Sequence, residues 1–192
     1  MALDKSNVLV GTPDQLTTGA IAKAPIGTAL PTDAVTALGS AFVAGGYVSE
    51  DGLKLTPSIS TSDIRDWSGS LVRRIIQTFD GTLSWNMLQT DAESLKVAFG
   101  EANVTATAAT SSHGNQLSVS LNATLPERAS WAFSMKDGDH RIRVVVPDGQ
   151  VTTVGEVSFT AGGAIVWPVT LSCYPDDSGN CIYIYTDDGA HS

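Results

Sequence analysis

The stretch Phe79-Asp80-Gly81-Thr82-Leu83-Ser84-Trp85-Asn86-Met87 decides the fold. Phe79, Leu83, Trp85 and Met87 are apolar, and Asp80, Thr82, Ser84 and Asn86 stand between them. Successive side chains of a strand point to opposite faces, so this period of two is that of a half-buried strand. Downstream the period returns. Val104, Ala106 and Ala108 face Leu117, Val119 and Leu121 across Ser112-His113-Gly114-Asn115, which reads as a hairpin. Ala129, Trp131, Phe133 and Met135 alternate with Ser130, Ala132 and Ser134. Lys136-Asp137-Gly138-Asp139 then turns the chain into His140 to Val146, and Pro147-Asp148-Gly149 is expected to turn it back. Strands from Val151 to Thr160 and from Ile165 to Tyr174 are expected on either side of Ala161-Gly162-Gly163. Pro168 should place the second at an edge or bulge, because proline has no N–H to donate. Cys181 to Tyr185 makes a last short strand. A single helix interrupts the series. Thr90 with Glu93 reads as a capping box, Leu95 and Phe99 share one face, and Gly100 stands where a C-cap belongs. The pattern predicts a mainly β fold, a two-sheet sandwich or barrel of antiparallel strands with one flanking α-helix.

Upstream the periodicity fades. Residues 1–45 are rich in Gly, Ala, Thr and Pro and read as an extended N-terminal arm, with one short extended piece, Gly19 to Pro25, that Pro25 ends or pushes to an edge. Residues 46–192 form the β domain. Within it Glu50-Asp51-Gly52 is a turn signal, and the rest of residues 46–69 reads as a long polar loop. Arm and loop are expected to order on association with a partner.

Composition narrows the function. The formal net charge of −9 excludes a nucleic-acid binder held by clustered Lys and Arg, and equally disfavours anionic membranes. There is no apolar run long enough to span a bilayer, and Met1-Ala2-Leu3-Asp4-Lys5 lacks the plan of a signal peptide, which points to folding in a cytoplasm. Cys173 and Cys181 flank a turn-like stretch and could face each other across it; in a reducing compartment they are expected as thiols.

Gly46-Tyr47-Val48-Ser49-Glu50-Asp51-Gly52, then Ser60-Thr61-Ser62-Asp63-Ile64-Arg65-Asp66-Trp67, then Val72-Arg73, resembles the major tail tube proteins of siphophages infecting actinobacteria, within the superfamily of tail tubes and type VI secretion tubes. The opening Ala2-Leu3-Asp4 and the small-residue arm are similar too. The resemblance implies copies closed into rings, usually of six, whose inner sheets join into one barrel around a lumen. It implies stacking of rings into a tube, with arms and long loops bridging them. Its implied partners are the chain itself, a tape-measure protein in the lumen, tail terminator and tip proteins, and DNA that passes through without specific binding. The implied location is the virion tail, assembled in the host cytoplasm.

No residue constellation argues for catalysis. His113, His140 and His191 lie in a turn, at a strand start and at the C-terminus, and none stands beside a nucleophile motif. Asp176-Asp177 and Asp187-Asp188 lack the spacing of a calcium loop, so no catalytic residue, cofactor or metal ligand is assigned. Of the four tryptophans, Trp85, Trp131 and Trp167 lie on apolar strand faces and are expected in the core, against the reading of a sugar-stacking platform. Trp67 lies in the polar loop. With Asp63, Ile64, Arg65 and Asp66 it is the candidate subunit interface, since a monomer gains little by exposing Ile and Trp there. Arg73 and Arg74 must point to opposite faces, and an intersubunit pair with Asp63 or Asp66 is one reading, a solvated Arg the other. The alternative function is a monomeric β-sandwich module of a virion or cell surface that recognises carbohydrate or protein. Oligomeric state separates the two.

Overall fold

A computed structural model describes residues 5–14 and 19–190. The expected start Met1 to Asp4 and His191 lie outside the described residues. In chain order the strands are β1 (Thr12–Pro13), β2 (Ile21–Pro25), β3 (Val43–Ala44), β4 (Lys54–Arg65) and β5 (Leu71–Met87). Helix α1 (Ala92–Phe99) follows, then β6 (Val104–Thr107), β7 (Gln116–Val119), β8 (Ala129–Asp137), β9 (His140–Val154), β10 (Trp167–Tyr174) and β11 (Tyr183–Asp187). The main sheet is antiparallel in the order β3-β2-β8-β9-β10-β5-β4, with β1 beside β8 and β11 beside β9. β6 and β7 pair as the expected hairpin and form the second sheet.

The alternation seen in sequence is the core. Leu83, Trp85 and Met87 of β5 meet Trp131 and Phe133 of β8, Val144 and Val146 of β9, and Val169 and Leu171 of β10. Trp85, Trp131 and Phe133 lie edge to face or stacked with centroids 5.3–6.4 Å apart, within the range where aromatic pairs attract. Helix α1 closes one side with Leu95, Val97 and Ala98 buried, and Phe99 sets its edge on Trp167. Its N-cap is Asp91, whose carboxylate accepts from the Ser94 N–H at 2.7 Å; the expected capping residue Thr90 instead accepts from Trp167 Nε1. Gly100 ends the helix with φ of 88° and donates to Lys96 O.

Four expectations change. β2 lies within the stretch set apart as an arm, yet it is a strand of the main sheet: it pairs β8 from Ile21↔Phe133 to Pro25↔Ala129, and Ile21 is in the core. The chain after it covers the sheet's other face, where Phe42 packs on Ala22, Ala24 and Ala132 and the buried Arg143 donates to the carbonyls of Asp33 and Thr36. Second, Pro147-Asp148-Gly149 is no turn. β9 runs through it, because a bulge opposite Ala129 to Trp131 absorbs one extra residue, so the ladder asks no N–H of Pro147, while its carbonyl accepts from Ser130 Oγ. Third, that strand ends at Val154 and residues 155–166 are irregular, so β10 begins only at Trp167. Pro168 is then in a central strand, but at its second residue, beyond the end of β9, which pairs only from Val169. The fourth change concerns the long loop.

Candidate functional site

Most of the stretch expected as a loop over residues 46–69 is strand. Residues 47–49 run beside the end of β5, Gly52 turns the chain with φ of 67°, and β4 then pairs with β5 over its whole length, from Lys54↔Ser84 to Arg65↔Leu71. β5 in turn begins at Leu71, eight residues before the alternation that revealed it. On its other side β5 pairs with β10 only from Gly81 to Met87. At Gly81 the strand passes so close to Ile182 that a Cβ would lie 2.7 Å from Ile182 Cδ1. Beyond it the hairpin leaves the body, and every residue from Leu71 to Asp80 is exposed.

Such a ribbon has no interior of its own. Two-stranded hairpins are marginal in water, and their open edges and apolar side chains gain from a partner. Nine large apolar residues are exposed between residues 54 and 80: Leu55, Ile59, Ile64, Trp67, Leu71, Val72, Ile75, Ile76 and Phe79. Phe79, expected on the buried face, is 49% exposed because the core ends at Gly81.

The five candidate interface residues lie together at the tip of this hairpin. Asp63 faces Arg74 across the strands and accepts from its Nε at 2.7 Å, and Arg65 Nη2 lies 3.3 Å from the same carboxylate. The pair read as intersubunit is thus made within one chain. Register, which sequence does not display, sets Arg74 beside Asp63 and Arg73 beside Ile64 on the other face. Asp66 caps the turn, accepting from Ser68 Oγ and the Ser70 N–H, with Gly69 at φ of 86° and its carbonyl accepting from Arg65 Nη1. This network holds the backbone while Ile64 is about half exposed and Trp67 wholly exposed. The charged members are therefore satisfied internally, and the apolar members are what the tip offers.

Hydrogen bonds from Arg74 and then Arg65 hold the Asp63 carboxyl below the usual range, and the Ser68 hydroxyl and Ser70 amide do the same for Asp66. A depressed pKa contributes stability that is present above the unfolded value and lost as pH falls through the folded one. The tip should therefore keep its charge network at neutral and mildly acid pH. In a carboxyl-carbon NMR titration Asp63 is expected to titrate below an ordinary aspartate, and Arg74→Gln should move its midpoint upward; an unmoved midpoint would show that the pair does not persist in solution.

The other candidate groups do not converge. Trp85, Trp131 and Trp167 are buried, so they form no stacking platform. His113 lies in the β6–β7 connection and His140 at the start of β9, and among the described residues no three metal-ligating side chains cluster. Cys173 and Cys181 are free and buried; burial, and then the neighbouring Cys181, pushes the Cys173 thiol up to about 12, which leaves almost no thiolate to react at neutral pH. No helix of the described residues is long and apolar enough to cross a membrane.

A family model described as phage tail tube protein matches residues 1–192. No curated protein matches the chain. Among solved structures, the chain is similar to the tube-terminating cap of the anti-feeding prophage, with 13% identity, 97% of this chain and 100% of that one covered, and a TM-score of 0.49. It is similar to a chain of the sheath-tube complex of an extracellular contractile injection system in its extended state, with 11% identity, 95% and 98% coverage and a TM-score of 0.44. A chain of the virion of a native gene transfer agent particle gives 11%, 78% and 92%, and 0.40.

Proposed function

The chain belongs to the phage tail tube protein family, and from that membership we propose that copies of it close into rings, six to a ring, which stack into the tube of a siphophage tail. The protein is a structural component of a tail tube and not an enzyme. The observation that carries the assembly reading is the β4–β5 hairpin, whose residues 54–80 leave the body with nine large apolar side chains exposed. A second copy supplies what the hairpin lacks, namely cover for those side chains and a partner for the open strand edges.

The tube is a conduit for genomic DNA in this reading, with a tape-measure protein in the lumen during assembly and terminator and tip proteins at its ends. It is built in the cytoplasm of the host, an actinobacterium. The net charge of −9 suits the task, since a wall that repels phosphate does not grip a duplex that must slide. The test is electron microscopy and sedimentation of the purified chain over a range of concentrations. Rings or tubes with a central hole are expected. A chain that stays monomeric at high concentration, and that binds a glycan in calorimetry, would favour the recognition-module reading instead.

A further inference from the structure

β10 and β11 lie end to end along one side of β9: β10 pairs it from Val169↔Val154 to Tyr174↔Asp148, and β11 resumes at Tyr183↔Val145. Residues 175–182 make an excursion between them. Cys173 ends the alternating buried row Trp167, Val169, Leu171 and Cys173, and Cys181 is where the chain returns, buried directly after the exposed Asn180. Both belong to the main core cluster. A single buried cysteine is an ordinary small apolar residue. Two that enter one core from the two ends of one loop also meet the first requirement of a bridge.

Asp176 draws the loop together. Its N–H donates to Asn180 O at 3.0 Å, and its carboxylate accepts from the N–H groups of Ser178 and Asn180 and from the Tyr183 hydroxyl. The register then gives the separation of the two thiols along the sheet. Cys173 stands opposite Gly149, and carrying the β11 register back two residues sets Cys181 opposite Pro147. Two positions along a strand span about 6.6 Å, and the bulge of β9 at this level draws them nearer. Disulfides join Cα atoms about 4.4–6.8 Å apart. The approach at Gly81 agrees: a Cβ placed there would lie 3.7 Å from Cys173 Cβ and 2.7 Å from Ile182 Cδ1, so Cys173 and the neighbour of Cys181 converge on one spot.

We propose that Cys173 and Cys181 form a redox-operated staple, open as thiols in a reducing medium and closed to an intrachain disulfide by a small-molecule disulfide such as oxidised glutathione. The Cys181 thiol gives up its proton, and its thiolate attacks one sulfur of the oxidant, forming a mixed disulfide and expelling one small thiolate, which is protonated. The Cys173 thiol then loses its proton, and its thiolate attacks the Cys181 sulfur and expels the second small thiolate, which is protonated in turn. Two protein thiols are oxidised and one small disulfide is reduced to two thiols. Cys181 leads because it borders the exposed loop; burial, and then Cys181 itself, pushes the Cys173 thiol up to about 12, which suits it to the second step. In the setting proposed above the tube is built in a reducing cytoplasm and released into an oxidising medium, so the staple closes after assembly. That timing rests on the assembly reading, and the bridge itself does not. Closure holds Ile182 against Gly81, where β5 leaves the body.

The test uses the purified full chain, freed of reductant and incubated with oxidised glutathione under native conditions, followed by thiol counting, intact mass and non-reducing peptide mapping. Both thiols should be lost, with a mass lower by two hydrogens and peptides joined through Cys173 and Cys181. The closed form should melt on the order of 5 °C above the reduced one, as a short loop closed without strain would, and dithiothreitol should reverse the shift. Cys181→Ala should abolish the mass change and the shift together; if that variant does not fold, Cys173→Ala takes its place. Thiols that persist in the folded chain under conditions that bridge the urea-unfolded chain overturn the proposal. So does a stable glutathione adduct or a chain-to-chain dimer as the product, or a closed form that melts below the reduced one. A chain that closes the bridge and never forms rings or tubes sinks the assembly reading and leaves the staple standing.

Discussion

Trp131→Ala is expected to leave a protein that is unfolded or barely folded at physiological temperature. The indole is 1% exposed, its Nε1 donates to the carbonyl of Gly149 at 3.3 Å, and its ring touches both Trp85 and Phe133. Truncating a buried Trp to Ala costs about 3–5 kcal/mol, the lost transfer energy plus the cavity. Domains are stable by only about 5–15 kcal/mol, so the substitution removes a large share of the whole. For a chain of this length that corresponds to a fall in Tm on the order of 6–20 °C. Near-UV circular dichroism should lose the signal of the packed indoles at the same time. A variant melting within about 2 °C of the parent, a shift worth less than a surface truncation on that scale, would mean that Trp131 is not where β8 places it.

The core was legible because a strand with one buried face writes its geometry as alternation, and Leu83, Trp85 and Met87 write it without interruption. The same rule explains what was missed. From Lys54 to Arg65 both faces of β4 are exposed, so nothing selects apolar residues at every second position, and Thr56, Ser58, Ser60 and Ser62 read as a polar loop. Proline misled at Pro147 and Pro168 for a related reason: the residue says only that no N–H is offered there, and a bulge or a strand end meets that condition as well as a turn does. Helix α1 was found with its C-cap, while the N-cap fell one residue from the expected place because Asp91 outcompetes Thr90, which Trp167 engages. At the candidate interface, composition singled out a segment that the fold places at the exposed tip of the hairpin, and misjudged the pairing of its charges. Asp63 and Arg65 looked like partners for another subunit, yet the register of the hairpin, invisible in one sequence, gives Asp63 its Arg74. What remained visible was the anomaly of Ile64 and Trp67 among charges.

That anomaly sets the second large effect, which falls on assembly and not on the fold. Trp67→Ala makes the same chemical change as Trp131→Ala, but at a side chain that none of the described residues covers. The turn beneath it is built from Asp66, Ser68, Ser70, Gly69 and Arg65, none of which uses the indole. The melting temperature should therefore stay within about 2 °C of the parent, as a surface substitution within about 0.5 kcal/mol would leave it. An exposed aromatic held on a rigid turn is the kind of residue that becomes a binding hot spot, where truncation costs about 2 kcal/mol or more per contact. At about 1.4 kcal/mol per factor of ten, that weakens each contact roughly thirtyfold. A tube makes the contact once per subunit, so the concentration needed for polymerisation should rise by at least that factor. Arg65→Ala should give a smaller loss, because it frees Gly69 O and one partner of Asp63 and so loosens the turn that presents the indole without removing it. The measurement is a sedimentation series over concentration with melts run in parallel. Polymerisation at the parent's concentration by Trp67→Ala would show that the tip meets nothing, and a melt as depressed as that of Trp131→Ala would show that the indole packs within its own chain.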